Sequence, residues 1–153
     1  MKKIMLTILS LCLFVTAFAG CGGDKPKEIE YDLEALSAEI VASDAFSDIL
    51  NKVNPDIAPT FYGFDAADIE SMSLYCSTGA TTEEVGIFKC VDKDAAARVL
   101  EKARERVDLQ KTAYESYAPA EVPKLNDAIV KADGVYVFYI VANDYDPVNN
   151  ILK

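Results

Sequence analysis

The stretch VKADGVYVFYIVAND, residues 130–144, constrains the fold more than any other part of this sequence. Asp133-Gly134 lies between two β-rich runs, which is typical of a hairpin with a two-residue turn. Alternate residues of a strand point to opposite faces. One face here carries Val135, Val137, Tyr139 and Val141, and the other carries Tyr136, Phe138 and Ile140. Because both faces are apolar, we predict that this strand is central in a sheet.

A second hairpin is predicted from residue 71 to residue 91. In SMSLYCST the side chains of Met72, Leu74 and Cys76 share one side, and a loop leads into EEVGIFKCV as the partner strand. If Cys76 lies near Gly86, then Cys90 lies near Met72, and the two cysteines are more than about 10 Å apart. This is beyond disulfide reach. We therefore predict two buried free thiols.

Helical patterns flank the two hairpins. Asp32 is a candidate N-cap for a first helix, and DAFSDILNKV (44–53) repeats the apolar pattern, which indicates two short helices or one helix bent near Ser43-Asp44. Asn54-Pro55 and Ala58-Pro59 are expected to break the chain. Asp92 can cap a long helix that runs to about Tyr117. Asp146-Pro147 is expected to start a short terminal helix.

The order of these elements predicts an α+β fold. We expect a four-stranded antiparallel sheet, made of two β-hairpins joined by one long helix packed on a face, with an N-terminal helix or helices and a short C-terminal helix. The chain has 153 residues, enough for one domain. That domain is expected over residues 31–153.

Residues 1–20 have the layout of a secretory signal. Lys2 and Lys3 precede an uncharged apolar run, and small residues lead to Cys21. Phe18-Ala19-Gly20-Cys21 is similar to a bacterial lipobox, although leucine is usual where Phe18 stands. We expect Cys21 to carry a lipid and residues 21–30 to form a flexible tether. The alternative is cleavage after Ala19 at the nested Ala17-Phe18-Ala19 site, which would release a soluble protein.

Charge and composition exclude several functions. Outside the first 20 residues the chain has 13 basic and 25 acidic side chains, a net charge of −12, which disfavours nucleic acid as a partner. The chain has no histidine, so catalytic dyads, triads and metal sites that need histidine are excluded. No hydrolase or phosphate-binding motif is present. We expect no enzyme activity, no cofactor and no metal.

The first candidate site is a polar interruption in the long helix. Arg106, Gln110, Tyr114 and Tyr117 lie on or beside its apolar seam, where Gln110 needs hydrogen-bond partners. They either form a ligand or partner site or hold loop backbone and core together, and the second interpretation is favoured. The hydroxyl-rich loop at 77–84 is more typical of a turn than of a ligand site. Calcium is disfavoured for an oxygen-rich cluster that lacks EF-hand spacing: Asn143, Asp144, Asp146, Asn149 and Asn150.

Four blocks of the sequence, in order, carry a family resemblance: FYGFDAADIES, STGATTEEVGIFKC, ERVDLQKTAYESYAPAEV and VKADGVYVFYIVAND. Over roughly residues 32–145 the chain resembles the domain of unknown function DUF4358. Members of that family are mostly small lipoproteins of low-GC Gram-positive bacteria. The resemblance implies a lipid-anchored extracytoplasmic domain, and it brings no catalytic residues.

These observations favour a membrane-anchored, non-enzymatic binding module on the extracytoplasmic face of the cell membrane. Its partner would be an unknown protein or small molecule. An uncovered sheet face would be the expected partner surface. The alternative is a secreted or anchored hydrolase that uses carboxylates, which would require a deep cleft with two acidic groups of shifted pKa.

Overall fold

A computed structural model describes residues 30–153. The fold is α+β, with a five-stranded antiparallel sheet in the order β1-β2-β3-β5-β4. The strands are β1 (Asn51–Lys52), β2 (Ile69–Cys76), β3 (Glu84–Cys90), β4 (Ile129–Asp133) and β5 (Tyr136–Val141). The helices are α1 (Leu33–Val41), α2 (Ala58–Tyr62), α3 (Lys93–Tyr117), α4 (Val122–Asn126) and α5 (Tyr145–Ile151). The predicted signal, the tether to residue 29 and Cys21 lie outside the described residues.

Helices cover both faces of the sheet. On one face α2, α3 and α4 pack on a core that includes Leu74, Phe88 and Tyr139. On the other face α1 and α5 pack on residues that include Ile87 and Phe138. Every residue of β5 is buried between these layers, which confirms the predicted central strand. Since helices pack on both faces within residues 30–153, this part of the chain does not show a wholly uncovered sheet face of the kind that would have been the expected partner surface.

The predicted sheet had four strands, and the fifth strand, β1, lies in a segment that was predicted to be helical. Instead of a second helix, residues 43–50 form turns. The backbone N–H groups of Ser47 and Asp48 donate to the carboxylate of Glu83, at 2.9 Å for the shortest bond from each. Burial of that carboxylate requires such donors, and the long-range bonds therefore override the local apolar pattern. Asn51 and Lys52 then pair with β2.

The prolines after β1 begin helical segments, whereas the prediction was that they break the chain. The Asn54 side chain accepts the N–H of Asp56, and Pro55 starts a 3₁₀ turn. Pro59 lies in the first turn of α2. Proline is tolerated there because the N–H groups of a first turn have no acceptor within the helix.

The β4–β5 hairpin is confirmed, with its turn one residue later than predicted. Asp133 pairs with Tyr136, so the turn residues are Gly134 and Val135. Gly134 has φ of +60°, which glycine adopts without steric cost. The faces assigned to residues 136–141 are confirmed, but Val135 lies in the turn and packs with the core of Tyr136 and Phe138, not with that of Val137 and Tyr139 as predicted.

The β2–β3 hairpin is also confirmed, with its register moved by two residues. Cys76 pairs with Glu84 and Cys90 pairs with Ile69, so the two thiols lie at opposite ends of the hairpin. Both cysteines are free, as predicted; Cys90 is buried and Cys76 is partly buried. A shift of two residues keeps every side chain on its predicted face.

Three helix starts were predicted, and two are confirmed. Asp32 caps α1 and Asp92 caps α3, each accepting a backbone N–H three residues on. The C-terminal helix is capped by Asp144 and not by Asp146, because the Asp144 side chain accepts the N–H of Asp146. Pro147 then falls in the first turn. Within residues 30–153, no helix combines the length and apolarity that spanning a bilayer requires.

Different segments of the chain meet at the two ends of the sheet. At one end Tyr31 donates to Asp133 at 2.7 Å, and the Cys90 N–H donates to the Val135 carbonyl at 2.8 Å. The β4–β5 turn and the starts of α1 and α3 therefore lie together at this end. At the other end Tyr114, near the end of α3, donates to the Thr81 carbonyl in the loop before β3.

Candidate functional site

The polar residues of α3 converge on Glu84, the first residue of β3. Its side chain is 3% exposed and lies on the α3 side of the sheet, beneath the helix. The Tyr62 hydroxyl donates to Oε1 at 2.5 Å, and Gln110 donates to Oε2 at 3.3 Å. A buried carboxylate with this many donors belongs to an internal network.

Arg106 supplies the charge that balances Glu84. Its Nε donates to both carboxylate oxygens, at 3.1 and 3.2 Å, and Nη2 donates to Oε2 at 2.7 Å. Nη1 donates to the Phe61 carbonyl at 3.0 Å, and the guanidinium lies 4.8 Å from the centre of the Tyr62 ring. Burial opposes the charge, but the Glu84 carboxylate outweighs burial and raises the pKa of Arg106.

Gln110 joins this ion pair to the centre of the sheet. While its amide nitrogen donates to Glu84, its Oε1 accepts the Tyr139 hydroxyl at 2.7 Å. Burial, and then the nearby carboxylate, raise the pKa values of Tyr62 and Tyr139 well above the usual value, so both tyrosines stay protonated donors. The polar interruption of the helix seam is thus satisfied internally.

A glycine makes room for this network. A Cβ at Gly86 would lie 2.8 Å from the Tyr62 hydroxyl oxygen and 2.9 Å from Phe88 Cζ. Such distances are below normal van der Waals contact, so Tyr62 reaches Glu84 only because residue 86 has no side chain.

Of the four predicted candidates, three are occupied inside the protein. Arg106 and Gln110 bind Glu84, and the Tyr114 hydroxyl donates to the carbonyls of Gly79 and Thr81, at 3.2 and 2.8 Å. Tyr117 differs, since it is 71% exposed and its ring meets only the Tyr114 ring in an edge-to-face contact among the described aromatic pairs.

The hydroxyl-rich loop at 77–84 is held by internal bonds. Asp48 accepts the Thr78 hydroxyl at 2.8 Å, and Glu121 accepts the Thr82 N–H at 3.0 Å. Ser77 donates to the carbonyl of Thr81. The loop hydroxyls therefore serve the turn, which matches the favoured interpretation.

Sequence reasoning missed a second buried carboxylate, Glu83. It accepts the Ser47 hydroxyl at 2.5 Å and Lys124 Nζ at 2.8 Å, in addition to two backbone N–H groups. Burial alone would raise the pKa of Glu83, but Lys124 and Ser47 outweigh burial and lower it. Adjacent acidic residues usually indicate a solvated surface, so the sequence carried no signal for this role.

The proximity of Ser47 and Lys124, whose Oγ and Nζ atoms are 3.2 Å apart, does not create an activated nucleophile. Burial would lower the pKa of Lys124, but bonds to Glu83 and Glu121 raise it. A lysine that serves as general base needs a lowered pKa. Lys124 is therefore a fixed cation.

Several carboxyl groups gather in a groove on the surface of the described domain. One groove of about 460 Å³ is lined by Asp65, Asp68 and Glu101. Asp68 is bound by two Arg98 nitrogens, and this pairing lowers its pKa. A general acid near neutral pH needs a raised pKa. Hydrogen bonds from Thr78 to Asp48 and from Lys124 to Glu83 also lower the pKa values of those two carboxyl groups.

Metal ligands are likewise not gathered. Over the described part of the chain, no group of three or more Cys, Asp or Glu side chains could hold a metal ion. In the oxygen-rich C-terminal segment, Asp144 is used as a helix cap and Asn150 accepts a bond from Lys153.

Comparison with known proteins gives one match. The family model described as "Domain of unknown function (DUF4358)" matches residues 48–142, which confirms the resemblance seen in the sequence blocks. No curated protein matches the chain significantly, and no solved structure does.

Proposed function

Because the chain belongs to the DUF4358 family, whose description assigns no activity, we propose from its own features that it is a lipid-anchored, extracytoplasmic, non-enzymatic binding module. The anchor in this proposal is Cys21. It follows a basic start, an uncharged apolar run and two small residues, and it precedes a glycine-rich and charged tether. Two acyl chains on one residue would hold the domain at the membrane stably.

One observation carries the binding role, and it is a set of exposed apolar side chains on two adjacent helices. Phe61 on α2 is 42% exposed, and Leu109 and Tyr117 on α3 are 69% and 71% exposed. We call these three residues the α2–α3 surface. The Arg106 guanidinium lies 5.4 Å from the Phe61 ring centre, so Phe61 stands directly beside α3.

The charge around this surface supports a protein partner. Along α3, residues Leu109, Thr112, Ala113, Ser116 and Tyr117 are exposed and uncharged, in a domain whose surface is otherwise strongly acidic. Interface centres are depleted in charge and enriched in aromatic residues. Tyr117 is the one member of the predicted candidate block that is left free for this purpose among the described contacts.

The anchor is tested with Cys21→Ser, followed by cell fractionation, lipid labelling and mass spectrometry of the mature N-terminus. We expect loss of the lipid label and of membrane retention. Cys12→Ser in the leader is the matched control and should change neither. If Cys21→Ser leaves retention and processing unchanged, cleavage after Ala19 is the correct interpretation.

The binding role is tested with the double variant Leu109→Ser/Tyr117→Ser. Cross-linking in membranes of the source organism should yield partner adducts with the wild-type chain, and the double variant should lose them. Glu101→Ser/Glu115→Ser, on the same helix but outside the surface, is the control and should retain them. Equal cross-linking by all three chains would rule out the α2–α3 surface.

A further inference from the structure

The outer edge of β2 is only partly paired. β1 pairs with Tyr75 and Cys76, and the Val53 N–H donates to the Leu74 carbonyl at 2.9 Å. The chain then turns away at Asn54 into the 3₁₀ turn. Within residues 30–153, the stretch from residue 69 to residue 73 has no strand on this side.

The direction of the unpaired backbone groups follows from the Val53 bond. In an antiparallel strand, the N–H and C=O of one residue point to the same side, and successive residues alternate. Since the Leu74 carbonyl points toward β1, the N–H and C=O of Met72 also point toward the open edge. A row of unpaired donors and acceptors on an edge is a template for another strand.

A groove lies beside this edge. It has a volume of about 460 Å³, and its lining includes Pro55, Asp56, Pro59, Ile69, Glu70 and Met72. The Met72 side chain lies on the same face of the sheet as α2 and packs against that core. A strand added at the edge would therefore direct alternate side chains toward the apolar part of the groove.

We propose that this edge binds an extended peptide of another protein as an additional strand beside β2. An apolar side chain of the peptide would fill the groove, and a neighbouring Lys or Arg residue would face Asp56, since Glu70 already accepts a bond from Lys89 at 2.8 Å. Strand addition of this kind takes affinity from backbone hydrogen bonds and specificity from pockets for alternate side chains. The inference goes beyond the proposed function, because it depends on neither the lipid anchor nor the α2–α3 surface.

Two other occupants fit the edge less well. Pairing between two copies would bring together two domains that each carry a net charge of about −12. The chain's own residues 21–29 contain two glycines and Pro26, and their one large apolar residue, Ile29, comes two residues before Tyr31, which bonds to Asp133 of β4 at the opposite edge of the sheet.

The probe is a library of random ten-residue peptides, selected against the full mature chain and against Met72→Pro. Proline removes the outward N–H of residue 72 without removing a bond to β3, a position where edge strands tolerate it. Peptides enriched on the wild type should carry an apolar residue next to Lys or Arg. Their affinity should fall at least about tenfold on Met72→Pro and stay near wild type on Met72→Leu.

Two further measurements keep the proposal open to refutation if Met72→Pro does not fold. N-methylation of a selected peptide should weaken binding at alternate residues only, and hydrogen exchange of the Met72 amide in the wild type should slow when the peptide is added. The Leu109→Ser/Tyr117→Ser variant should bind the peptide normally, which separates this proposal from the α2–α3 surface.

Three results would overturn the inference. The first is a library that enriches no peptide on the wild type over Met72→Pro. The second is slow exchange of the Met72 amide in the chain alone at every concentration, which would place residues 21–29 on the edge. The third is protection that grows with protein concentration, which would make a second copy the occupant.

Discussion

Replacing Arg106 with methionine should destabilise the domain by about 3–5 kcal/mol, because the change strands a buried carboxylate. Methionine retains most of the aliphatic volume of arginine and removes only the charge and its hydrogen bonds. Glu84 is 3% exposed, so bulk solvent does not reach its carboxylate in the native structure. Tyr62 and Gln110 remain as neutral donors, which do not balance the charge.

The magnitude follows from the contacts. Arg106 makes three N–H···O contacts with Glu84 and one with the Phe61 carbonyl. A hydrogen bond to a charged group contributes about 1.5–3 kcal/mol, and the desolvation of both ions offsets part of their sum. In the double variant Glu84→Gln/Arg106→Met no charge is stranded, and the glutamine oxygen can still accept from Tyr62. We expect that variant to recover about half of the loss.

The assay is equilibrium unfolding in urea at pH 7, analysed as a double-mutant cycle. Arg98→Met is the matched control, since Arg98 also forms a two-nitrogen pair with an aspartate but its side chain is 58% exposed. Its loss should be smaller, because solvent screens the exposed guanidinium even though the Asp68 side chain is only 12% exposed. If Arg106→Met costs no more than Arg98→Met, the buried pair does not stabilise the fold as argued.

Three further predictions concern other parts of the core. Gly86→Ala should lower the free energy of unfolding in urea by about 1–3 kcal/mol, because the new Cβ would collide with the Tyr62 hydroxyl. An unchanged unfolding midpoint would contradict the close packing at this position. The lowered pKa of Glu83 contributes stability above its unfolded pKa of about 4.3, and that stability is lost as the pH falls through the folded pKa. Glu83→Gln should therefore be less stable at pH 6 and show a flatter stability profile from pH 6 to 3, and parallel profiles would refute this. Burial and nearby carboxylates raise the pKa values of Cys76 and Cys90 to about 12. At pH 8 iodoacetamide should therefore alkylate these two thiols only after the domain is unfolded, as measured by mass spectrometry. Alkylation of either thiol in the native chain would contradict this prediction.

Local sequence patterns were sufficient to predict the elements whose apolar residues repeat with the spacing of a strand or a helix. The apolar alternation of β5 predicts a central strand, and the spacing of apolar residues after Asp92 predicts α3 nearly to the residue. β1 could not be predicted in this way. It is two residues long, and it exists because the turn before it is bound to Glu83, 35 residues or more away in sequence.

The candidate site was predicted in part. Gln110 was recognised as a polar group that needs partners, but its partner Glu84 was not identified. A signal was present, because Glu84, Gly86, Phe88 and Cys90 alternate along β3 and must share the face that carries Phe88. Glu83 gave no such signal, since it precedes the strand and its donors come from a distant turn and from α4.

The length of α3 affects how far from the membrane the proposed binding surface can reach. If Cys21 carries the proposed lipid, the nine residue steps from Cys21 to residue 30 span at most about 32 Å. α3 begins at the tethered end of the domain, and its 25 residues extend about 37 Å to Tyr117 at the other end. The α2–α3 surface could thus reach up to about 70 Å from the bilayer. A partner held within that distance of the membrane would encounter this surface at a high effective concentration.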